Sequence, residues 1–420
     1  MKIIIFEDNK YRDLFPLNML RASFDIKCGA GSIKDRVLNI VNGKYDVSLI
    51  CRNQIAGLAG EISPEKINVI PKDDVLFLNG RVVFGKEFLK VIISKNQKNT
   101  VCIYKNELIY ASLSKDKVKE FRTDFEKTIL SELNFKEYFT SQDLKVTGAE
   151  DNEDLSVLCY PWDAVKNFLN GGLNSDLEIY LNNSRKKFIS PKKSEFMINP
   201  KGIFISPKAD LLPGTVLDAS EGKIIIEENC RIEPFCYIKG PAYIGKNTLV
   251  KSGAKIYGPC SIGKNSKVAG EIAESVFHSY VNKQHDGFVG HSYICPFVNL
   301  GADTVTSDLK NNYSKIRIKM NSAETDFDTG MMFLGSIIGD HSKTSINTML
   351  NTGTVAGIFA NIFGGGFPEK TIGSFTWNEP GKAAVKYQFG KAVETAVKVM
   401  ARRGITMSAD YEKLLSGYSE

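Results

Sequence analysis

The dominant pattern in the chain is an aliphatic residue at every sixth position from Ile226 onward. The uninterrupted run is Ile226, Ile232, Ile238, Ile244, Val250, Ile256, Ile262 and Val268. The position four residues later is small in seven of the eight cases, at Cys230, Cys236, Ala242, Thr248, Ala254, Cys260 and Ser266, before Ile272 breaks the rule. A helix needs an apolar stripe about every 3.6 residues and a strand one every two, and only the second period divides six. The pattern therefore predicts short strands separated by corners.

One hexad cannot bury its own apolar side chain, so consecutive coils must stack about 4.8 Å apart into a three-sided prism. The six-residue pattern returns near the end of the chain as Met332, Ile338, Thr344, Leu350, Ala356 and Ile362. Between the two runs, the polar stretch from about Thr306 to Met331 loses the pattern. Such an interruption predicts an outward loop, and loops of this kind often carry binding residues.

The region before the prism alternates short apolar runs with helical patterns. Ser32 and Asp35 form a capping box ahead of apolar residues at helical spacing. The predicted strands are Lys2–Phe6, Val47–Ile50, Val75–Leu78 and Val101–Tyr104. This rhythm predicts a mostly parallel, Rossmann-like α/β domain.

The last segment predicts a helix with one apolar face. That face consists of Phe389, Val393, Ala396, Val397 and Met400. The helix would cover the open last coil, whose unpaired backbone otherwise invites edge pairing; a partner-binding helix is the alternative. The expected domains are therefore an α/β domain over 1–185, a left-handed parallel β-helix over 186–378 and a C-terminal capping helix over 379–420.

Composition narrows the class of protein. No apolar run is long enough to span a membrane, and no secretory signal is visible. The eight cysteines form no C-x-x-C pair, so neither a zinc site nor a disulfide framework is predicted. We expect a cytoplasmic protein. A net charge of +6 suits anionic small molecules and does not indicate nucleic acid.

His285 is the candidate catalytic base. It falls where the six-residue pattern is lost, within Lys283-Gln-His-Asp-Gly-Phe288, so its side chain is predicted to point away from the prism interior. A neutral imidazole suits deprotonation of an amine that attacks a thioester; a surface histidine without a role is the alternative. In the segment that follows, Asn299-Leu-Gly-Ala302, backbone N–H groups would face a developing oxyanion.

These motifs, with Leu334-Gly-Ser-Ile-Ile-Gly-Asp-His341, resemble the acetyltransferase half of the bifunctional glucosamine-1-phosphate acetyltransferase / N-acetylglucosamine-1-phosphate uridylyltransferase family. The resemblance implies a homotrimer with active sites between neighbouring prisms. It implies that His285 deprotonates the sugar amine, that Asn299 contacts the sugar, and that the Ala302 amide contacts the acetyl carbonyl.

The chain departs from the family at several site positions. Phe288 replaces a tyrosine, Asp308 replaces an asparagine near the thioester, and Ala273 falls where a lysine grips the sugar phosphate. We therefore expect the anion contact to come from another cation; the candidates are Lys283, Lys310, Arg317 and Lys319. The predicted sugar-binding residues are Lys283, Phe288, Asn299 and Asp308.

The N-terminal half resembles the nucleotidyltransferase fold. Arg12, followed by Pro16-Leu17, matches part of the family's phosphate loop without its glycines, and Arg21 stands at a family lysine. Asn79-Gly-Arg81 resembles the L-x-G-D turn, with Arg81 in place of the aspartate that binds Mg²⁺. Arg12, Arg21, Asn79 and Arg81 are the predicted nucleotide- or phosphate-binding residues.

The resulting expectation is an acetyl-CoA-dependent N-acetyltransferase of amino-sugar phosphates in nucleotide-sugar synthesis of the UDP-N-acetylglucosamine type. Two alternatives are open: an active sugar-1-phosphate nucleotidyltransferase that uses UTP or dTTP, and a non-catalytic nucleotide-sugar-binding scaffold.

Overall fold

The computed structural model describes residues 1–126, 133–149, 155–192, 196–320 and 326–419. The chain forms two compact units. The first contains Met1–Ile26, Gly31–Asp163 and Ser408–Leu414. The second contains Lys27–Ala30, Ala164–Met407 and the residues from Leu415.

The first unit is built on a seven-stranded mixed sheet. Its strands, in spatial order, are Lys66–Ile67, Val47–Ile50, Lys2–Phe6, Val75–Asn79, Glu107–Leu113, Thr100–Tyr104 and Lys145–Gly148. All neighbours are parallel except the pairs made by Glu107–Leu113. The four strands predicted from the sequence are confirmed, and the antiparallel strand Glu107–Leu113 was missed. A separate antiparallel pair joins Val82–Phe84 to Leu155–Val157.

The helices of this unit pack an aromatic-rich core. They are Ile33–Val41, Asn53–Ile62, Lys86–Lys95, Lys115–Phe125 and Phe135–Ser141. Ser32 and Asp35 form the predicted capping box at the start of the first helix. Phe6 stacks on Phe135 with 4.4 Å between ring centroids, and Phe121 lies 5.7 Å from Phe139. These rings belong to one cluster of buried apolar side chains that also includes Ile4, Val75 and Val101 of the sheet.

The second unit is the predicted prism, a β-helix with three flat faces. Face I consists of Ile203–Ile205, Ile224–Ile226, Ala242–Ile244, Cys260–Ile262, Val276–Phe277, Tyr293–Ile294, Ser336–Ile338, Thr354–Ala356 and Thr371–Ile372. Face II consists of Asp210–Leu211, Arg231–Ile232, Leu249–Val250, Lys267–Val268 and Asn282–Lys283, then Lys343–Thr344, Asn361–Ile362 and Thr376–Asn378. Face III consists of Met197–Ile198, Val216–Asp218, Tyr237–Lys239, Lys255–Tyr257, Glu271–Ala273 and Phe288–Gly290, then Val305–Thr306 and Met349–Leu350.

Every aliphatic residue of the first six-residue run lies fully buried in the prism interior. Within each face, neighbouring strands pair in parallel, so the aliphatic side chains form continuous rows. In the second run, Ile338, Thr344, Leu350, Ala356 and Ile362 are likewise buried. Met332 is the exception. It lies in an exposed turn, and the neighbouring Leu334 is buried instead, so its assignment to the interior was wrong.

One corner of the prism carries a ladder of stacked rings. Tyr280, Phe297, His341, Phe359 and Phe375 stack in consecutive coils, with centroids 4.5–4.9 Å apart. All five adopt a left-handed backbone conformation at this corner. In earlier coils the same corner is occupied by asparagines, which accept that conformation more readily. Ring stacking therefore offsets the strain of a left-handed aromatic residue.

The predicted outward loop is present between Thr306 and Ser336, and it contains an antiparallel pair, Arg317–Lys319 with Asp326–Asp328. At the end of the prism, Val385–Lys386 pairs with the last coil and the helix Phe389–Ala401 follows. A second helix, Ala409–Ser416, comes after it. The first helix buries Ala392, Ala396 and Met400, whereas Val397 is exposed, which corrects the predicted apolar face.

Two other segments belong to the β-helix unit. Lys27–Ala30 lies along face I, where the Ser261 hydroxyl donates to the Gly29 carbonyl at 2.6 Å and the Tyr293 hydroxyl accepts from the Lys27 amide at 3.0 Å. The helix Pro161–Asn167 crosses the boundary between the units, which lies after Asp163. A kink with non-helical backbone at Asn170 and Gly171 separates it from the helix Leu173–Ser184, which precedes the first coil. In the second of them, Tyr180 bonds Glu227 and packs edge-on against Tyr243.

Candidate functional site

His285 lies at the corner between face II and face III, exposed to solvent. The next coil places Ala302 at the same corner, because the Asp303 amide donates to the Asp286 carbonyl at 3.1 Å. An outward-pointing imidazole and the Ala302 backbone are thus neighbours in consecutive coils. The sequence predicted both residues, and the coil register brings them together.

The prism is not interrupted at His285, contrary to the expectation from the lost pattern. Val250 pairs with Val268 across one full coil of eighteen residues, and Val268 pairs with Lys283 after only fifteen. Shortening the coil shifts the six-residue pattern while the parallel pairing continues. His285 therefore occupies an ordinary corner, and it points outward because corners do.

The Ala302 corner is held by hydrogen bonds to the next coil. The Asn347 amide donates to the Ala302 carbonyl at 2.8 Å, and the Gly301 amide donates to the Thr344 hydroxyl at 2.9 Å. Among the described residues, no acceptor is found for the Ala302 amide. A fixed N–H group of this kind is suited to bind a developing oxyanion.

Asn299 lies on the outer side of face II, in register with Asn282 below and Lys343 above. Its side-chain oxygen accepts a hydrogen bond of 2.6 Å from the Asn282 amide. This contact fixes the Asn299 amide orientation and leaves its own N–H₂ group available to a ligand. Asn282 was not predicted, and the one signal for it was its position seventeen residues before Asn299.

A cluster around His291 was not predicted from the sequence. Asp308 belongs to this cluster, and Phe288 lies beside Asp308. His291 is buried between two carboxylates, with Nε2 2.6 Å from Glu274 and Nδ1 2.8 Å from Asp308. Burial acts to lower the pKa of His291, but the hydrogen bonds that the protonated ring donates to the two carboxylates outweigh it and raise the pKa to about 9. A side chain at Gly290 would displace its neighbours, since a Cβ would lie 2.3 Å from the Asp308 carboxylate and 2.5 Å from the Phe288 ring.

The cluster anchors the outward loop to the prism. Phe333 stacks on the His291 ring at 5.0 Å, and the Leu334 amide donates to the Asp308 carbonyl at 2.9 Å. Asp308, predicted to contact the sugar, thus has a structural partner in His291.

Lys283 corrects a prediction. It was expected to contact the sugar or its phosphate, but its side chain is 1% exposed and lies in the interior row of face II. A ligand on the outer surface cannot reach it.

In the first unit, Arg81 is completely internal. Its guanidinium pairs with Asp8 through two bonds, Nε–Oδ1 at 2.8 Å and Nη2–Oδ2 at 2.6 Å, and with Glu107 at 2.6 Å. It also donates to the Leu158 carbonyl at 2.8 Å. Burial acts to lower the pKa of Arg81, and the two carboxylates raise it above its usual range.

The other predicted phosphate ligands differ in access. Asn79 is buried and bonds Asp8 at 3.0 Å, and Arg21 is buried and donates to the Leu17 carbonyl. Neither presents its side chain to an external nucleotide, so the predicted contacts of Arg21, Asn79 and Arg81 are corrected. Arg12 is exposed, with its guanidinium 5.3 Å from the Tyr11 ring centroid.

A buried ion pair holds the loop that follows the first strand. Glu7 accepts from Arg52 at 2.6 Å and from the Ser23 amide at 2.9 Å. Arg52 also donates to the carbonyls of Asn18 and Met19 at 2.7 and 3.2 Å. Side-chain bonds, in place of flexible glycines, therefore fix this loop.

These residues do not fit Mg²⁺. The ion requires free oxygen ligands, and the Asp8 and Glu107 carboxylates are already neutralised by a guanidinium. Within the described ranges, no cluster of three or more histidine, cysteine, aspartate or glutamate side chains is arranged to hold a metal ion. Nor does any helix among these residues have the length and apolarity to cross a bilayer.

Comparison with known proteins agrees with both units. Residues 3–184 match the sugar nucleotidyl transferase family, and residues 223–258 match the bacterial transferase hexapeptide, six repeats. The resemblance noted from the sequence is confirmed to this extent: residues 3–184 are similar to sugar nucleotidyl transferases, and the β-helix that follows contains hexapeptide repeats.

One curated relative is the bifunctional sugar-1-phosphate nucleotidylyltransferase/acetyltransferase of Sulfurisphaera tokodaii, which is 31% identical over 155 residues. The match covers 36% of this chain and 38% of that protein, so each is aligned over little more than a third of its length.

Proposed function

We propose that the β-helix of this protein is an acetyl-CoA-dependent N-acetyltransferase that acts on an amino-sugar phosphate. The observation that carries the proposal is the exposed imidazole of His285 beside Ala302 in consecutive coils, with Asn299 on the adjoining face. The acetyltransferase activity in the printed name of the Sulfurisphaera tokodaii relative also supports it.

In this reaction, the nitrogen of the neutral sugar amine attacks the thioester carbonyl carbon, and neutral His285 accepts the proton that this nitrogen loses. The C–N bond forms, and the negative charge on the former carbonyl oxygen is stabilised by the Ala302 amide. The C–S bond then breaks, and the CoA thiolate takes the proton from the imidazolium.

The test is release of free thiol from acetyl-CoA with glucosamine-1-phosphate and related amino-sugar phosphates. We expect His285→Ala to lower kcat by about 100-fold or more, which is within the range of a lost general base. The matched control is His278→Ala, which should retain turnover. His278 lies at the preceding corner of the same coil. Undiminished turnover of His285→Ala would refute the assignment of the base.

We also propose that the active unit is a homotrimer. Ile346 is 68% exposed one coil above Ala302, and Met349 is exposed on the next face. Apolar side chains exposed beside a polar site favour coverage by another copy of the chain. Sedimentation equilibrium should give three times the monomer mass, and Ile346→Glu should lower both trimer content and turnover. A monomer with full turnover contradicts this arrangement.

For the first unit, we propose binding of a nucleotide sugar without metal-dependent turnover. The neutralisation of Asp8 and Glu107 by Arg81 supports this second function over an active nucleotidyltransferase. UDP-sugars should raise the melting temperature, whereas UTP or dTTP with a sugar-1-phosphate and Mg²⁺ should release no pyrophosphate. Mg²⁺-dependent pyrophosphate release would overturn the proposal.

A further inference from the structure

A lysine occupies an interior position of the prism that is otherwise apolar. The row on face II runs Ile232, Val250, Val268, Lys283 and Leu300, as the strand pairing shows. The Lys283 side chain is among the largest fully buried side chains of the described residues. A buried ammonium is costly unless it is hydrogen-bonded, so its partner identifies its role.

The partner is the backbone of the candidate base. The Lys283 Nζ donates to the His285 carbonyl at 2.8 Å. Burial lowers the pKa of Lys283 to about 8, while the carboxylates of Asp286 and Asp303 act in the opposite direction. The ammonium therefore binds the inner side of the same corner from which the imidazole projects outward.

The corner is also confined from above. Gly287 has a φ of 114°, and a Cβ on it would lie 2.2 Å from the Thr304 carbonyl. The residues around His285 are thus held by the next coil on one side and by the interior ammonium on another. Such a two-sided constraint restricts the backbone that carries the ring.

We propose that Lys283 is a positioning residue, which fixes the His285 corner from inside the prism so that the imidazole is presented beside the Ala302 amide. The inference rests on the proposed acetyltransferase function for its kinetic consequence. It replaces the ligand contact that the sequence predicted for this lysine.

The test compares Lys283→Met, which keeps an apolar stem and removes the donor, with Val268→Ala, which perturbs the same interior row one coil below. Lys283→Met should lower kcat for acetyl transfer by about 10- to 100-fold, the range expected for a misplaced catalytic group, and leave KM within about twofold. Val268→Ala should keep kcat within about twofold. Equal losses of kcat in the two variants, or none in Lys283→Met, would overturn the proposal.

Hydrogen exchange gives a readout that does not require turnover. In Lys283→Met, amide exchange of the peptide covering residues 284–288 should accelerate at least about tenfold relative to Val268→Ala, as expected for loss of about 1.4 kcal/mol of local protection. If the wild-type protein acetylates no amino sugar, the proposed function fails and this measurement still decides the positioning role. Unchanged exchange in Lys283→Met would refute the positioning role. If Lys283→Met does not fold, Lys283→Gln, whose amide is too short to make the same bond, is measured in the same way.

Discussion

The buried Arg81 cluster yields a quantitative prediction for the first unit. Replacing Arg81 with methionine removes the cation that neutralises Asp8 and Glu107, while the apolar length of the side chain is retained. Breaking a buried ion pair on one side costs about 3–5 kcal/mol. Asp8 would keep hydrogen bonds from the Asn79 side chain and the Lys10 amide, so we expect the lower end of that range, about 3 kcal/mol.

The assay uses the chain's two tryptophans as separate probes. Trp162 is 3% exposed and belongs to the first unit, whereas Trp377 lies in the last coil of the β-helix. In a Trp377→Phe background, urea unfolding followed by fluorescence reports the first unit alone. Lys90→Met is the control, because its pair with Glu87 is exposed and should contribute less than about 1 kcal/mol.

A double-mutant cycle with Asp8→Asn separates the ion pair from general damage. The double variant should be more stable than the sum of the single losses predicts by about 1–3 kcal/mol, because the carboxylate left unpaired by Arg81→Met is then neutral. A loss below about 1 kcal/mol for Arg81→Met, or strictly additive losses in the cycle, would refute the argument that Arg81 permanently occupies this site.

Three further predictions concern the β-helix. The pKa of His291 is raised to about 9 by its two carboxylates, so between about pH 6.5 and pH 9 the folded state keeps a proton that the unfolded state has released. Its contribution to stability is therefore full below about pH 6.5 and is lost as pH rises through 9; His291→Gln should flatten that fall, and an unchanged slope contradicts it. Gly287→Ala should displace the corner under Thr304 and lower both turnover and melting temperature, whereas Gly390→Ala, with open space around it, should leave both unchanged or raise the melting temperature. Phe359→Ala should cost about 3–5 kcal/mol in Trp377-detected unfolding by breaking the ring ladder; a loss below about 1 kcal/mol refutes its role.

Periodicity was sufficient to predict the prism because a six-residue repeat matches one short strand and one corner. The strands of the first unit were likewise visible as short apolar runs. Glu107–Leu113 was missed because its polar first residue and neighbouring turn residues weaken its alternation, and its place beside Val75–Asn79 is a long-range pairing.

The candidate site was likewise predicted only in part from the sequence. His285 and Ala302 were predicted from the motif, and both lie at one corner because the register of stacked coils brings residues seventeen positions apart together. Lys283 looked like a surface cation. Its true direction depends on the shortened coil, which places it opposite Val268 and hence inside.

The sequence by itself determined the repeat, the order of the two kinds of fold and the identity of the corner histidine, because these depend on local spacing. Tertiary structure alone decided which charged groups neutralise one another. Arg81 meets Asp8 and Glu107, and His291 meets Glu274 and Asp308, only after strands and coils distant along the chain have paired. A buried charge must pair with another protein group because it has lost its contact with water. Residues that look like substrate ligands in the sequence therefore bind other side chains of the protein.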